Sequence, residues 1–163
     1  LNVSLVGMPS SGKTTLGRAL AAALGRPFVD LDEEIVRADG RSIPEIFAAE
    51  GEDGFRARET EQVRRFGKES GLLISCGGGV VTRPENVRAL RQNGLVLFVD
   101  RPLEALAVGG GRPLSSSPEA LRAMEAERRP LYEKAADAVI RNDGTAEDAA
   151  ARALQALNEL FAQ

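Results

Sequence analysis

Apolar positions along the chain follow two rhythms. Short, mostly apolar runs such as Val3, Leu5 and Val6, then Leu72-Leu73-Ile74, then Leu95-Val96-Leu97-Phe98-Val99, have the length of buried strands. Between them apolar residues recur three and four apart, as on one face of a helix. Leu16, Ala19, Leu20, Ala23 and Leu24 predict a first helix starting at Lys13 or Thr14, and residues 26–30 read as a short second strand ending in Asp30-Leu31-Asp32. Residues 33–70 look helical but interrupted. Ser42-Ile43-Pro44-Glu45 has the form of a capping box, and Gly51 and Gly54 break or bend the helix it opens. Phe55-Arg56-Ala57-Arg58-Glu59 begins another helix, residues 72–76 a third strand, and Thr82-Arg83-Pro84-Glu85 a second capping box. The fourth strand, 95–99, ends in Asp100. That carboxylate reads either as a Walker B-like group near a magnesium ion or as the N-cap of a helix after Arg101-Pro102. Ser117-Pro118 opens a helix to about Ala135 that Pro130 should kink. A fifth strand over 137–140, a turn at Asn142-Asp143-Gly144, and a closing helix capped by Thr145 complete the pattern. Strand and helix alternate throughout, with no repeat and no second domain, so the expected class is α/β: a parallel sheet wrapped by helices.

The chemistry begins where the first strand breaks, at Gly7-Met8-Pro9-Ser10-Ser11-Gly12-Lys13-Thr14. Gly, four residues, then Gly-Lys-Thr is a P-loop. Its glycines accept positive φ, so consecutive backbone N–H groups can curl around a phosphate, and the following helix aims its free N–H groups at the same anion. Lys13 would reach the β- and γ-phosphates, and the Thr14 hydroxyl would bind Mg2+.

Composition narrows the options. The chain has 163 residues, enough for one domain with a real core. It has no histidine, which leaves carboxylates, lysine and arginine to carry any acid–base work. One cysteine, Cys76, excludes an internal disulfide framework and fits a reducing compartment. A net charge of −3 argues against bulk binding of nucleic acid or anionic membrane, and no segment has the form of a signal peptide or membrane span, so the cytoplasm is the expected setting. A start at Leu1 suggests a trimmed terminus or a piece of a longer polypeptide.

Other candidates lie far along the chain. Asp30 and Asp32 sit two apart, on the same side of an extended segment, and reach the carboxyl edge of a parallel sheet together with the P-loop. Asp32 as a cap for a helix from Glu33 is the plainer alternative. Arg56 and Glu59 share a helix face, where a weak surface ion pair is the plainer reading. Gly77-Gly78-Gly79, directly after a core strand, implies that the backbone passes very close to something. Gly109-Gly110-Gly111-Arg112-Pro113-Leu114-Ser115-Ser116-Ser117 reads as a segment that could swing Arg112 onto a phosphate, or as a solvated linker. The chain has no Asp-x-x-Gly and no Asn-Lys-x-Asp, so the parts of a GTPase are missing.

Taken in order, the P-loop, the Asp30-Leu31-Asp32 pair, Phe55-Arg56 with Glu59, the triple glycine, Arg112-Pro113-Leu114 and Arg128-Arg129-Pro130-Leu131-Tyr132 resemble the shikimate kinase family at near-family spacing over essentially the whole chain. The resemblance implies one P-loop kinase domain over residues 1–163. It would have three layers around a five-stranded parallel sheet, a substrate-binding helical section at about 31–61 and a lid at about 107–117. It also implies Mg2+-dependent transfer of phosphate from ATP to the 3-hydroxyl of shikimate, in the pathway to aromatic amino acids, by a monomer or part of a larger polypeptide. On that resemblance Gly7, Pro9, Ser10, Ser11, Gly12, Lys13, Thr14, Thr15 and Arg112 bind the nucleotide, and Thr14 and Asp30 serve the metal. Asp32 takes the reacting hydroxyl as candidate base, with Lys13 and Arg112 as its catalytic companions. Arg56, Arg128, Gly77, Gly78 and Gly79 hold the acceptor, and Glu59 holds Arg56. Guanidinium forks suit a carboxylate acceptor, since they bind it in two places at once. Arg128 or its neighbour Arg129 could be the second fork; spacing to Pro130-Leu131-Tyr132 favours Arg128. The segment before Arg112 lacks the basic residues usual in the family, which leaves the adenine contacts open. A kinase for another small polyol acid such as gluconate, and a non-catalytic nucleotide-binding module, are the competing functions.

Overall fold

A computed structural model describes residues 1–106 and 117–163. Arg112 and nearly all of the expected lid, 107–117, lie outside the described residues. Five parallel strands form one sheet in the order β2-β3-β1-β4-β5, with β1 at Asn2–Val6, β2 at Phe28–Asp30, β3 at Leu73–Ser75, β4 at Gly94–Asp100 and β5 at Ala138–Arg141. The helices are α1 (Lys13–Leu24), α2 (Leu31–Asp39), α3 (Ile43–Gly67), α4 (Pro84–Gln92), α5 (Pro118–Ala135) and α6 (Ala146–Phe161).

The central strands alternate between two cores, as side chains two apart must. Val3 and Leu5 of β1 and Leu97 and Val99 of β4 pack with Leu16 and Leu20 of α1 and Ala149, Ala153 and Leu157 of α6. Val6, Val96 and Phe98 face the other way, toward Val63 and Phe66 of α3, Leu90 of α4, and Leu121, Met124 and Tyr132 of α5. Tyr132 stacks on Phe98 with ring centroids 5.1 Å apart. A third, smaller cluster joins Ile35 of α2 to Ile46 and Phe55 of α3. It sits beyond the sheet, and it gives the section carrying Arg56 an apolar anchor of its own.

Several boundaries differ from the sequence reading. The capping box at Ser42 and Glu45 is formed, and Gly51, at φ 71°, is the kink within α3, but the helix passes through Gly54 without a break. No capping box forms at Thr82: the N-cap of α4 is Arg83, and the Thr82 hydroxyl instead donates to Gly79 O at 2.6 Å, closing a 3-10 turn at Val80–Thr82. Asp32 caps nothing. Its helix starts at Leu31, and Asp30 is the cap, accepting from the N–H groups of Asp32 and Glu33. The two aspartates therefore leave the strand differently, one ending β2 and the other in the first turn of α2. Asp100 is not a helix cap, since only a 3-10 turn at Leu103–Ala105 follows it, capped by Pro102. Helix α5 runs on through Pro130 to Ala135. Ser117 and Thr145 cap α5 and α6 as the sequence predicts.

Gly17, on the buried face of α1, lies against the sheet where a Cβ would approach the Phe28 ring at 2.7 Å and Leu5 and Leu73 at 3.3 Å. Gly17→Val should overpack this contact and lower stability by about 1–3 kcal/mol, measured by urea unfolding; an unchanged midpoint would show that α1 can shift away from the sheet without cost.

Candidate active site

The carboxyl ends of β1, β2 and β3 open into a cavity of about 380 Å³, at the sheet edge where α/β proteins bind ligands. The P-loop forms its floor. Gly7 and Gly12 hold positive φ of 153° and 90°, and Ser10 joins them at 65°, a left-handed conformation costing a residue with a side chain about 1–2 kcal/mol. Gly7 must be glycine for space as well, because a Cβ there would lie 2.5 Å from the Val99 carbonyl. Gly12 is the N-cap of α1, and no side chain caps that helix, so its first N–H groups are left for a ligand. Lys13 is folded back on the loop. Its ammonium donates to Gly7 O at 2.8 Å, Met8 O at 2.7 Å and Ser11 Oγ at 3.2 Å.

Of the expected nucleotide residues, Pro9, Ser10, Gly12, Lys13, Thr14 and Thr15 line the cavity. Gly7 and Ser11 do not; they shape the loop from behind. The Thr14 hydroxyl donates to Asp30 Oδ2 at 3.4 Å, so the two expected metal residues meet. This set is all oxygen and small, and among the described residues no group of three or more histidine, cysteine or acidic side chains forms a metal cage. That fits Mg2+, which keeps most of its waters and takes one or two protein oxygens beside the phosphates.

The opposite wall comes from α3 and α5. Arg56 is 5% exposed and donates to Glu59 Oε1 at 2.8 Å, while Glu59 is fully buried. This is no surface pair. The guanidinium lies directly over Gly79, where a Cβ would fall 2.1–2.5 Å from its atoms. Gly77 is squeezed between Asp32 and Glu59, with a Cβ there 2.9 Å from Asp32 Oδ1 and 3.0 Å from Glu59 Oε2, and Gly78 is pressed against Pro9. Each glycine of the run thus meets a different neighbour. Burial pushes the Glu59 carboxyl above its usual range, against the pull of Arg56, and its Oε2 has no hydrogen-bond partner.

Arg128 lines the cavity and is buried, with its guanidinium donating to the Met124 thioether, a weak acceptor, at 3.1 Å. Arg129 points elsewhere: it donates to Asp100 at 2.6 and 3.3 Å and to Glu125 at 2.6 Å. Of the two arginines, Arg128 is the one that lines the cavity, and the partner of Asp100 is Arg129. Tyr132 donates to Gly78 O at 2.5 Å, and burial raises its phenol to about 12, so it stays protonated and ties α5 to the glycine run. Cys76 lies in the wall, but burial pushes its thiol far up and keeps it unreactive.

Sequence reasoning missed the apolar side of the cavity. Ile43 and Phe47 line it with Phe55, and their spacing reads only as a helix core. It also missed the ion cluster behind Arg56. Arg41 and Arg58 both pair with Asp39 and Glu50, at 2.5–2.7 Å, binding α2 to α3 across the kink at Gly51. The charges were visible, but a kinked helix brings them together at spacings no single helix would predict.

The shikimate kinase family model matches residues 9–158 of the chain. A shikimate kinase from Symbiobacterium thermophilum is 46% identical, with 98% of this chain and 97% of that protein covered. Among solved structures, a shikimate kinase from Acinetobacter baumannii in complex with shikimate superposes with a TM-score of 0.93 at 39% identity, covering 97% of this chain and 93% of that one. One from Aquifex aeolicus gives 0.87 at 32% identity, covering 97% and 96%.

Because folded Glu59 holds its proton more tightly than the unfolded chain, its contribution to stability is complete below its ordinary value of 4.5 and is lost as pH rises toward the higher folded value. Glu59→Gln should therefore flatten the decline in unfolding free energy as pH rises above 4.5. Urea titrations of both proteins across that range test this, and parallel slopes would contradict it.

Proposed function

The chain belongs to the shikimate kinase family, and on that premise we propose that it transfers the γ-phosphoryl group of ATP to the 3-hydroxyl of shikimate, giving shikimate 3-phosphate and ADP. The observation that carries the proposal is the convergence of two buried guanidinium groups, Arg56 from α3 and Arg128 from α5, on one cavity with a P-loop and Asp32. A nucleotide-binding module without an acceptor has no use for a pair of buried cations opposite its phosphate cradle. The A. baumannii relative was solved with shikimate bound, and shikimate carries the single carboxylate that such a pair suits.

Residue roles follow from position. The N–H groups at the start of α1 and the Lys13 ammonium receive the phosphates, with Lys13 exchanging its carbonyl partners Gly7 and Met8 for phosphate oxygen. Thr14 and Asp30 would hold Mg2+, whose charge offsets that of the phosphates. Pro9, Ser10, Ser11, Thr15 and Gly7 shape the cradle, and Arg112, outside the described residues, would supply a further cation to the phosphates. Arg56 and Arg128 fork the acceptor carboxylate, while the backbone of Gly77, Gly78 and Gly79 sets the depth of the acceptor subsite. Glu59 holds Arg56 in its rotamer. Asp32, which lines the same cavity beside Gly77, binds the reacting hydroxyl and takes its proton. Phosphoryl transfer passes through a loose transition state, so Asp32 contributes mainly by alignment. Residues 31–61 act as the acceptor-binding section and 107–117 as the lid of a single domain. No described helix is long and apolar enough to cross a membrane, and an ATP co-substrate with one buried thiol supports a cytoplasmic setting.

ADP release should depend on shikimate and not on gluconate; turnover with gluconate alone would overturn the proposal. Asp32→Asn should lower kcat by about 100-fold or more while leaving ATP binding nearly intact, whereas Lys13→Ala should damage both. Near-normal turnover of Asp32→Asn would remove Asp32 from its assigned role.

A further inference from the structure

The loop after β5 touches the phosphate cradle from outside the cavity. Asn142 is 6% exposed, and its side-chain Nδ2 donates to Ser11 O at 2.7 Å, across 131 residues of sequence. The same Nδ2 lies where a Cβ on Gly12 would fall, 2.5 Å away. Gly12 is therefore glycine for two reasons: its φ of 90°, and the Asn142 carboxamide packed against it. Asn142 does not line the cavity, while Gly12 does.

Asn142 is itself held firmly. Its backbone N–H donates to Asp100 O at 2.8 Å, at the end of β4, and Arg152 of α6 donates to Arg141 O and Asp143 Oδ1, both at 2.9 Å. The carboxamide is thus a fixed donor supported by the sheet edge and α6.

In a trans peptide the C=O and the following N–H point in opposite directions, and the chain has no cis bond among its described residues. Holding Ser11 O from outside therefore turns the Gly12 N–H away from Asn142. Resting on the nucleotide reading above, we infer that Asn142 is a positioning residue for the nucleotide phosphates: its carboxamide fixes the Ser11–Gly12 peptide so that the Gly12 N–H is presented to a phosphate oxygen. The N-cap of α1 is a glycine with no side-chain cap of its own, and the Asn142 carboxamide is the side chain that bonds the carbonyl of this peptide. Without the bond the Ser11–Gly12 peptide can rotate, and the cradle loses a directed donor while its charge is unchanged.

Asn142→Leu keeps the volume and deletes the donor; Asn142→Asp keeps the shape and sets a carboxylate against the carbonyl. Both should raise the Kd of Mg-ADP, and of Mg-pyrophosphate, which has no base or sugar, by about tenfold, as loss of one directing hydrogen bond does. KM for ATP should rise in parallel, with KM for shikimate changed less than about twofold. Thermal melts check folding, and either folded variant suffices. Unchanged pyrophosphate binding, or equal shifts in both KM values, would overturn the inference. The calorimetry needs no turnover, so a wild-type protein that binds pyrophosphate but shows no shikimate-dependent ADP release would defeat the activity reading and leave this one standing.

Discussion

The ion pair between Arg56 and Glu59, sealed beneath the surface and laid across Gly79, is the constraint the site is built around. Burying a guanidinium and a carboxylate is costly, and removing either partner alone leaves an uncompensated charge worth about 3–5 kcal/mol. Fixing Arg56 there imposes conditions on its neighbours. Position 79 cannot carry a Cβ, and position 77 must leave room for both Asp32 and Glu59. Helix α3 has to leave the Ser42 cap, turn at Gly51 and deliver Arg56 to the cavity, with Arg41, Asp39, Glu50 and Arg58 bracing the turn from outside. The third apolar cluster beneath serves the same end.

The two halves of the cavity are held by different means. The phosphate half is almost entirely backbone: strained loop geometry, a helix start without a side-chain cap, and Lys13 returning to its own carbonyls. The acceptor half is made of side chains on helices, stitched to the glycine run by Arg56 over Gly79 and by Tyr132 on Gly78. Asp30 and Asp32 stand at the join, one capping α2 and meeting Thr14, the other reaching toward Gly77.

Strand and helix order, the P-loop and most cavity residues were legible because each rests on local pattern: runs of buried apolar residues, glycines at fixed intervals, a cap three residues before its glutamate. Reading failed where partners are distant in sequence. Thr82 had the pattern of a capping box, yet a nearer acceptor, Gly79 O, captured its hydroxyl. Asp100 read equally well as a cap or a metal carboxylate, and its partner proved to be Arg129, 29 residues away. Asn142 looked like an ordinary turn residue, since nothing local announces a hydrogen bond to Ser11. The glycine run implied a close neighbour correctly, but three separate neighbours, Asp32 with Glu59, Pro9 and Arg56, explain it.

The central claim is that Arg56 and Arg128 form a carboxylate clamp facing the P-loop. Steady-state phosphorylation of shikimate against its methyl ester tests it most directly, since the ester keeps the ring and all three hydroxyls and loses only the charge. The account predicts that kcat/KM for the ester falls by about 100-fold or more, as expected when charge-assisted paired hydrogen bonds are lost. Equal phosphorylation of acid and ester would contradict it.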